Sequence, residues 1–124
     1  MFVSDLTTAP KRELDGLVSH ILLDEGDAPG GELSVTWVDV EPGGEQKAHS
    51  HAPQQVYVIT RGQGRMTVGE EARDVREGQL VFIPPDVQHA IVNTGEGVLT
   101  YVSAATPAFP VRDLYDVGQL SLSP

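Results

Sequence analysis

Turn-forming residues recur about every 8 to 12 positions along this chain, and the stretches between them are short, apolar and of two-residue rather than helical period. Such a chain offers no amphipathic helix to cover a core. It can bury its apolar side chains by pairing short strands into a sandwich or barrel, so the expected fold class is all-β. Strands are expected over 17–23, 33–40, 56–60, 65–68, 79–83, 89–92 and 98–102, with 79–83 and 89–92 as partners and 69–71 as a hairpin tip. Residues 1–16 are polar and of mixed sign and read as an extended arm. The tail 106–124 carries three prolines among apolar residues, including Phe109, Leu114 and Tyr115, and needs a surface to cover it, on the barrel or on a partner subunit.

Two stretches stand out from this background. The first runs from Gly43 through His49, His51 and Gln55 to Gly62; the second runs from Gly78 through Pro84, Asp86 and His89 to Asn93. Alternate residues of a strand share a face, so His49 and His51 are expected to present two imidazoles to one ion, with Gln55 in the same phase beyond an interruption at Pro53. His89 arrives on a separate strand after the rigid Pro84-Pro85-Asp86 turn. A lone His-x-His pair is often only a polar strand face. Here three of the chain's four histidines fall in the two stretches. Three neutral imidazoles and an amide oxygen suit one divalent transition metal, iron, manganese, nickel or zinc.

On these residues the sequence resembles the cupins, whose two motifs are Gly-x5-His-x-His-x3,4-Glu-x6-Gly and Gly-x5-Pro-x-Gly-x2-His-x3-Asn. The resemblance covers about residues 33–102. It implies a double-stranded β-helix, or jelly-roll barrel, with the metal held inside by His49, His51, Gln55 and His89. Two positions depart from the pattern. Asp86 stands where the family usually has glycine, a mild change because aspartate tolerates a left-handed turn. Gln55 stands where the family usually has its one anionic ligand.

Composition narrows the function further. With 124 residues and 40% hydrophobic content the chain is expected to form one domain, 1–124. A net charge of −10 opposes binding to nucleic acid and to anionic membrane surfaces. Without cysteine there is no thiolate ligand, disulfide or cysteine nucleophile. No apolar run is long enough to cross a bilayer and no basic-then-apolar leader is present, so a cytoplasmic location is expected.

Candidate pocket residues are Tyr57, in phase with Gln55, Trp37, the only tryptophan, and Arg65, a cation placed to clamp a carboxylate at the barrel mouth. His20 reads as an ordinary strand histidine outside the site and Asn93 as a turn-former. Replacing glutamate by Gln55 leaves a divalent ion and its protein ligands at +2 rather than +1. That favours an anionic bidentate small-molecule substrate and Lewis-acid chemistry, and it opposes the trivalent state that an oxalate-degrading manganese site needs. The enzyme readings are dioxygenase-type cleavage of a chelated, enolisable molecule, or isomerase, cyclase or lyase chemistry. The alternative is a non-catalytic cupin that holds or senses a small ligand. A homodimer is expected, because the arm and the tail both need a surface.

Overall fold

The computed structural model describes residues 1–116 and consists of two antiparallel sheets packed face to face. The strands are β1 (Lys11–Leu14), β2 (Leu17–Leu23), β3 (Ser34–Val40), β4 (Glu45–His49), β5 (Gln54–Arg61), β6 (Gln63–Val68), β7 (Glu71–Arg76), β8 (Leu80–Ile83), β9 (His89–Asn93) and β10 (Leu99–Thr106). One sheet has the order β1-β2-β3-β10-β5-β8 and the other β4-β9-β6-β7. This is the expected all-β jelly roll.

Three local expectations need correction, and a fourth, which left two surfaces open for the tail, is decided. The arm contains a strand, β1, whose residues Lys11 to Leu14 pair with His20 to Leu17. Residues 71–76 form a strand that sequence reading passed over, because its five polar or small residues show no apolar alternation. Strand β8 pairs with β5, while β9 lies in the other sheet between β4 and β6. The tail forms a short helix, α1 (Val111–Asp116), and packs on its own barrel, with Val111, Leu114, Tyr115 and Phe109 gathered against Ile21. The remainder of the tail, 117–124, lies outside the described residues.

The larger sheet is graded along its strands. In the inward-facing rows, Val40 opposes Leu99, and Val38, Tyr101 and Ile59 follow; then come Thr36, Ser103 and Tyr57; last are Ser34, Ala105 and Gln55. One end of the interior is therefore apolar and the other polar. The apolar end, with Val40, Ile59 and Leu99 almost wholly excluded from solvent, supplies much of the stability. Each such side chain contributes roughly 1.5–3 kcal/mol by burial. The polar end is free to carry a site.

Turn geometry fixes the two ends. Gly62 has φ 82°, and a Cβ there would meet the carbonyl oxygen of Val98 at 2.5 Å, so no other residue fits. Asp86 has φ 63° and takes the left-handed place where the family usually has glycine. Its backbone N–H donates to the carbonyl of His51 at 2.9 Å, tying the two motif loops together. Asn93 is the turn-former expected: its amide donates to the carbonyls of Val40 and Gly97, both at 2.8 Å, and its oxygen accepts from the N–H of Gly95.

Candidate metal centre

The polar end of the sandwich brings the motif residues together from both sheets. His49 ends β4 and lies directly opposite His89 at the start of β9. His51 is not on the strand as expected: β4 stops at His49, after a register shift against β9, and His51 sits in the loop that crosses to β5. Gln55 then points inward from β5. The three ring centroids are separated by 4.3 Å (His49 to His89), 5.0 Å (His51 to His89) and 5.7 Å (His49 to His51). One nitrogen of each lies within 4.8 Å of the other two. Ligand nitrogens about 2.1 Å from a shared ion stand roughly 3–4 Å apart, so closure on an ion needs side-chain shifts below about 1 Å.

The backbone sets which nitrogen is offered. Nδ1 of His49 lies 2.9 Å from the Lys47 carbonyl, Nδ1 of His51 2.9 Å from that of Pro53, and Nδ1 of His89 3.0 Å from that of Val87. A carbonyl can only accept, so each Nδ1 carries the proton and each Nε2 presents its lone pair to the centre. Nε2 of His89 is buried and has no hydrogen-bond partner among the described residues. Nε2 of His51 faces the amide oxygen of Gln55 at 3.0 Å, while the amide nitrogen of Gln55 donates to Ser103 Oγ. Two lone pairs thus meet at one point. Turning the amide round would satisfy His51 but would still leave His89 orphaned. A cation at the centre satisfies all of them, so the residues present fit a metal ion.

Electrostatics agree. Burial pushes the His89 imidazole down to about 3, helped by its neighbour His49, and burial likewise lowers His49. Both rings are neutral, and ready to ligate, well below the usual histidine range. With folded values depressed below unfolded ones, this part of the stability is present above about pH 6.5 and is lost as pH falls toward the folded values. For the metal-free protein, stability is expected to drop between pH 6.5 and about 3, by up to about 1.4 kcal/mol per pH unit from His89 alone. Chemical unfolding as a function of pH checks it, and His89→Gln should flatten the slope.

Around the imidazoles the lining is polar but uncharged. Ser34, Thr36, Gln46, Ser103, Tyr57, Tyr101 and Tyr115 contribute hydroxyls and amides, and among the described residues no carboxylate lines the cavity. Tyr57 stacks on Tyr101 with ring centroids 4.3 Å apart and meets His89 edge-on at 6.0 Å. Burial raises the pKa of all three phenols, so they stay protonated and can donate hydrogen bonds. Phe109 closes the mouth by stacking on His51 at 5.0 Å. The cavity is about 30 Å³, enough room for a water molecule.

The other sequence candidates are not brought here. Trp37 lies half-buried on the outer face of the larger sheet, its indole N–H 3.3 Å from Asp39 Oδ1. It belongs neither to the pocket nor to the core, because β3 turns its even-numbered neighbours inward. Arg65 is on the outer face of the smaller sheet, paired with Asp74 at 3.2 Å where both side chains are well exposed. His20 is likewise outside the cluster, 3.7 Å from Asp39. Sequence reading missed Ser103, Tyr101, Tyr115 and Phe109 as site residues. The first two sit on β10 beyond the second motif, and only the cross-strand register places them beside Tyr57 and Gln55.

The comparisons fit this geometry. The family model for the cupin domain matches residues 36–104. An uncharacterized protein of Methanocaldococcus jannaschii is 29% identical over 100 residues, 80% of each chain. Dimethylsulfoniopropionate lyase DddW of Ruegeria pomeroyi is 25% identical over 88 residues, which span 71% of this chain and 58% of that protein. The crystal structure of a predicted oxalate decarboxylase from Thermotoga maritima matches with a TM-score of 0.76 at 17% identity, over 86% of this chain and 99% of that one. At that identity the likeness speaks for the fold alone.

Proposed function

This chain belongs to the cupin domain family, and from its site we propose that it binds one divalent transition metal and uses it on a small organic anion in non-redox lyase or isomerase chemistry. The observation that carries the reading is the orphaned, buried Nε2 of His89, facing two further imidazoles and an amide oxygen with no carboxylate among them. His49, His51, His89 and Gln55 would hold the ion. When bound it supplies a Lewis acid whose charge the protein leaves uncompensated. The chain's own residues do the rest. Tyr57, Tyr101 and Tyr115 keep their protons and offer hydrogen bonds to the oxygens of an anion. Phe109 excludes water once the substrate is seated. Ser103 accepts from the amide of Gln55 and holds that side chain in the site. The matched lyase from Ruegeria pomeroyi supports an elimination in this chain by analogy only.

The working unit is taken to be a homodimer in the cytoplasm. No helix among the described residues is long and apolar enough to cross a membrane, and a chain without cysteine needs no oxidising compartment.

Metal-loaded protein should convert members of a panel of β-substituted carboxylates or hydroxy and keto acids without consuming oxygen. Product NMR and an oxygen electrode, run together, decide this. Oxygen uptake coupled to substrate loss would support dioxygenase cleavage instead, and tight binding without turnover would support a ligand sensor.

Gln55→Glu provides a second check. The added carboxylate should raise affinity for the ion, while turnover of an anionic substrate should fall by roughly 10- to 100-fold, because the charge repels the anion and weakens polarisation of its oxygen. If turnover rises instead, the reaction depends on metal-centred oxidation.

A further inference from the structure

The two sheets do not close on each other along one side. Strand β7 is the last strand of the smaller sheet and β8 the last of the larger, and the turn 77–79 joins them. That turn is pinned: the Gly78 N–H donates to the Ile59 carbonyl at 2.8 Å, and the Gln79 side chain accepts from the Arg76 N–H at 2.9 Å. Beyond it the two strands do not pair, and a groove of about 550 Å³ lies between them. Register decides what faces it. Opposed residues of paired strands share a face, so Arg73 follows Met66 inward and Glu71 follows Val68. Across the gap Val81, opposite the inward-facing Tyr57, supplies the other wall. Met66 and Val75 are buried at the floor, while Val68 and Val81 are half-buried and line the groove. Arg12, Arg65 and Arg112 each face an aspartate. The guanidinium of Arg73, the one cation lining the groove among the described residues, has no ion pair or hydrogen bond there.

We propose that this groove binds a small amphipathic monocarboxylate, of the class of a medium-chain fatty acid, with its anion against Arg73 and its hydrocarbon chain over Met66, Val68, Val75 and Val81. The site is separate from the metal centre and does not rest on the chemistry there. In the row His49, His89, Val68 and Glu71 that crosses the smaller sheet, Val68 stands between the imidazoles and the groove.

Three considerations favour that occupant. The first is size: the groove falls within the roughly 300–1,000 Å³ of small-molecule pockets, whereas the cavity at the imidazoles, about 30 Å³, holds little more than a water. The second is the division of the lining. Apolar side chains from the inner faces of both sheets form a continuous floor, and the single cation stands on one wall, which is the layout an acid with a hydrocarbon chain requires. The third is charge. A chain of net charge −10 repels anions over most of its surface, so an anion is held only where a guanidinium lacks its own carboxylate. Glu71, on the same strand face as Arg73 and two residues away, opposes a second negative charge. It thereby restricts the site to monocarboxylates.

Decanoate is the probe. Titration calorimetry on the full chain should give one molecule bound per chain after chelator treatment, and affinity should rise by about two- to fourfold for each methylene from hexanoate to decanoate. Decanol, decylamine and the ten-carbon dicarboxylate should each bind several-fold more weakly than decanoate. Arg73→Gln should weaken decanoate by about 3- to 10-fold and leave decanol unchanged, while Glu71→Gln should tighten decanoate by about two- to fivefold. Both side chains are exposed, so the variants should keep the fold and metal stoichiometry of the wild type. Methyl resonances of Met66, Val68, Val75 and Val81 should shift on titration, and those of Val38 and Val40 should not. No binding at millimolar decanoate, or shifts that miss the groove methyls, would overturn the proposal. Binding abolished by the chelator would place the carboxylate on the ion, overturning the groove site while supporting the metal centre. Decylamine bound as tightly as decanoate would overturn the role of Arg73. Uptake that falls as protein concentration rises would assign the groove to a second copy, and displacement of decanoate by an extended apolar peptide without a carboxylate would assign it to a protein strand; either overturns the small-molecule site.

Discussion

Replacing His89 by alanine is expected to reduce affinity for iron, manganese, nickel or zinc by more than about 100-fold, while leaving the metal-free protein close to wild-type stability. The two halves have one cause. His89 is 1% accessible, and its Nε2 has no protein partner, so in the metal-free state its burial is partly a liability. Removing the ring leaves a cavity but also removes an unsatisfied atom. In the metal-bound state the same nitrogen is a ligand, and losing even the hydrogen-bond partner of a metal-bound histidine commonly costs 10- to 100-fold. Elemental analysis and calorimetric titration measure the first half, and chemical unfolding with a chelator present measures the second. His20→Ala is the control and should leave the stoichiometry unchanged. Equal metal binding by wild type and His89→Ala would end the metal-centre assignment.

The second large effect is expected at Asp24, 4% accessible and far in sequence from the three clustered imidazoles. Its carboxylate accepts the N–H groups of Val111 at 2.9 Å and Arg112 at 3.2 Å and the Arg112 guanidinium at 2.7 Å. It thus caps the first turn of α1 from another part of the chain. Arg12 pairs with Asp116 at the far end of the same helix. Between the cap and β10 lies Phe109, whose N–H donates to Ser34 Oγ at 2.9 Å and whose ring covers His51. Asp24→Ala leaves the N–H groups of Glu25 and Arg112 without their acceptor, Val111 with the Phe109 carbonyl alone and the Arg112 guanidinium with Asp27 at 3.5 Å, and should destabilise the protein by about 2–4 kcal/mol. Release of the segment should also uncover the site. Hydrogen exchange at Val111 and Arg112 should accelerate by roughly 30- to 1,000-fold, and anions too large for the closed cavity should bind faster. Unchanged exchange there would show that the segment is held by its apolar contacts with Ile21 instead.

The elements readable in the sequence were those whose cause is local. Leu17 to Leu23 is apolar with β-branched members, and β2 has those bounds. The motif glycines and Asp86 mark backbone conformations that few residues adopt, and the turns stand where they stand. The spacing of His49, His51, Gln55 and His89 was legible because one ion must be reached from neighbouring positions. What escaped was set by partners far along the chain. Strand β7 is nearly all polar and is a strand because β6 pairs with it over six residues. Helix α1 is too short to show a period and exists because Asp24, 87 residues before Val111, caps it. Trp37 was a pocket candidate as the only tryptophan, yet the phase of β3 turns it outward. Arg65 was assigned to the mouth from its charge, and the register opposite Asp74 and Val92 places it on the far side of the smaller sheet.

The carboxylate-free lining of the cavity bears on how the two binding events influence one another. A site that compensates its ion internally can hold metal and substrate almost independently. Here the compensating negative charge has to come from whatever anion enters, so metal and anion share one coupling free energy. Thermodynamic reciprocity then requires that any anion tightened by the metal tighten the metal by the same factor. On the proposed reading, retention of an ion through dilution or dialysis should therefore depend on the anions in the buffer, and a metal affinity measured for this protein would have meaning only together with the identity and concentration of the anion present.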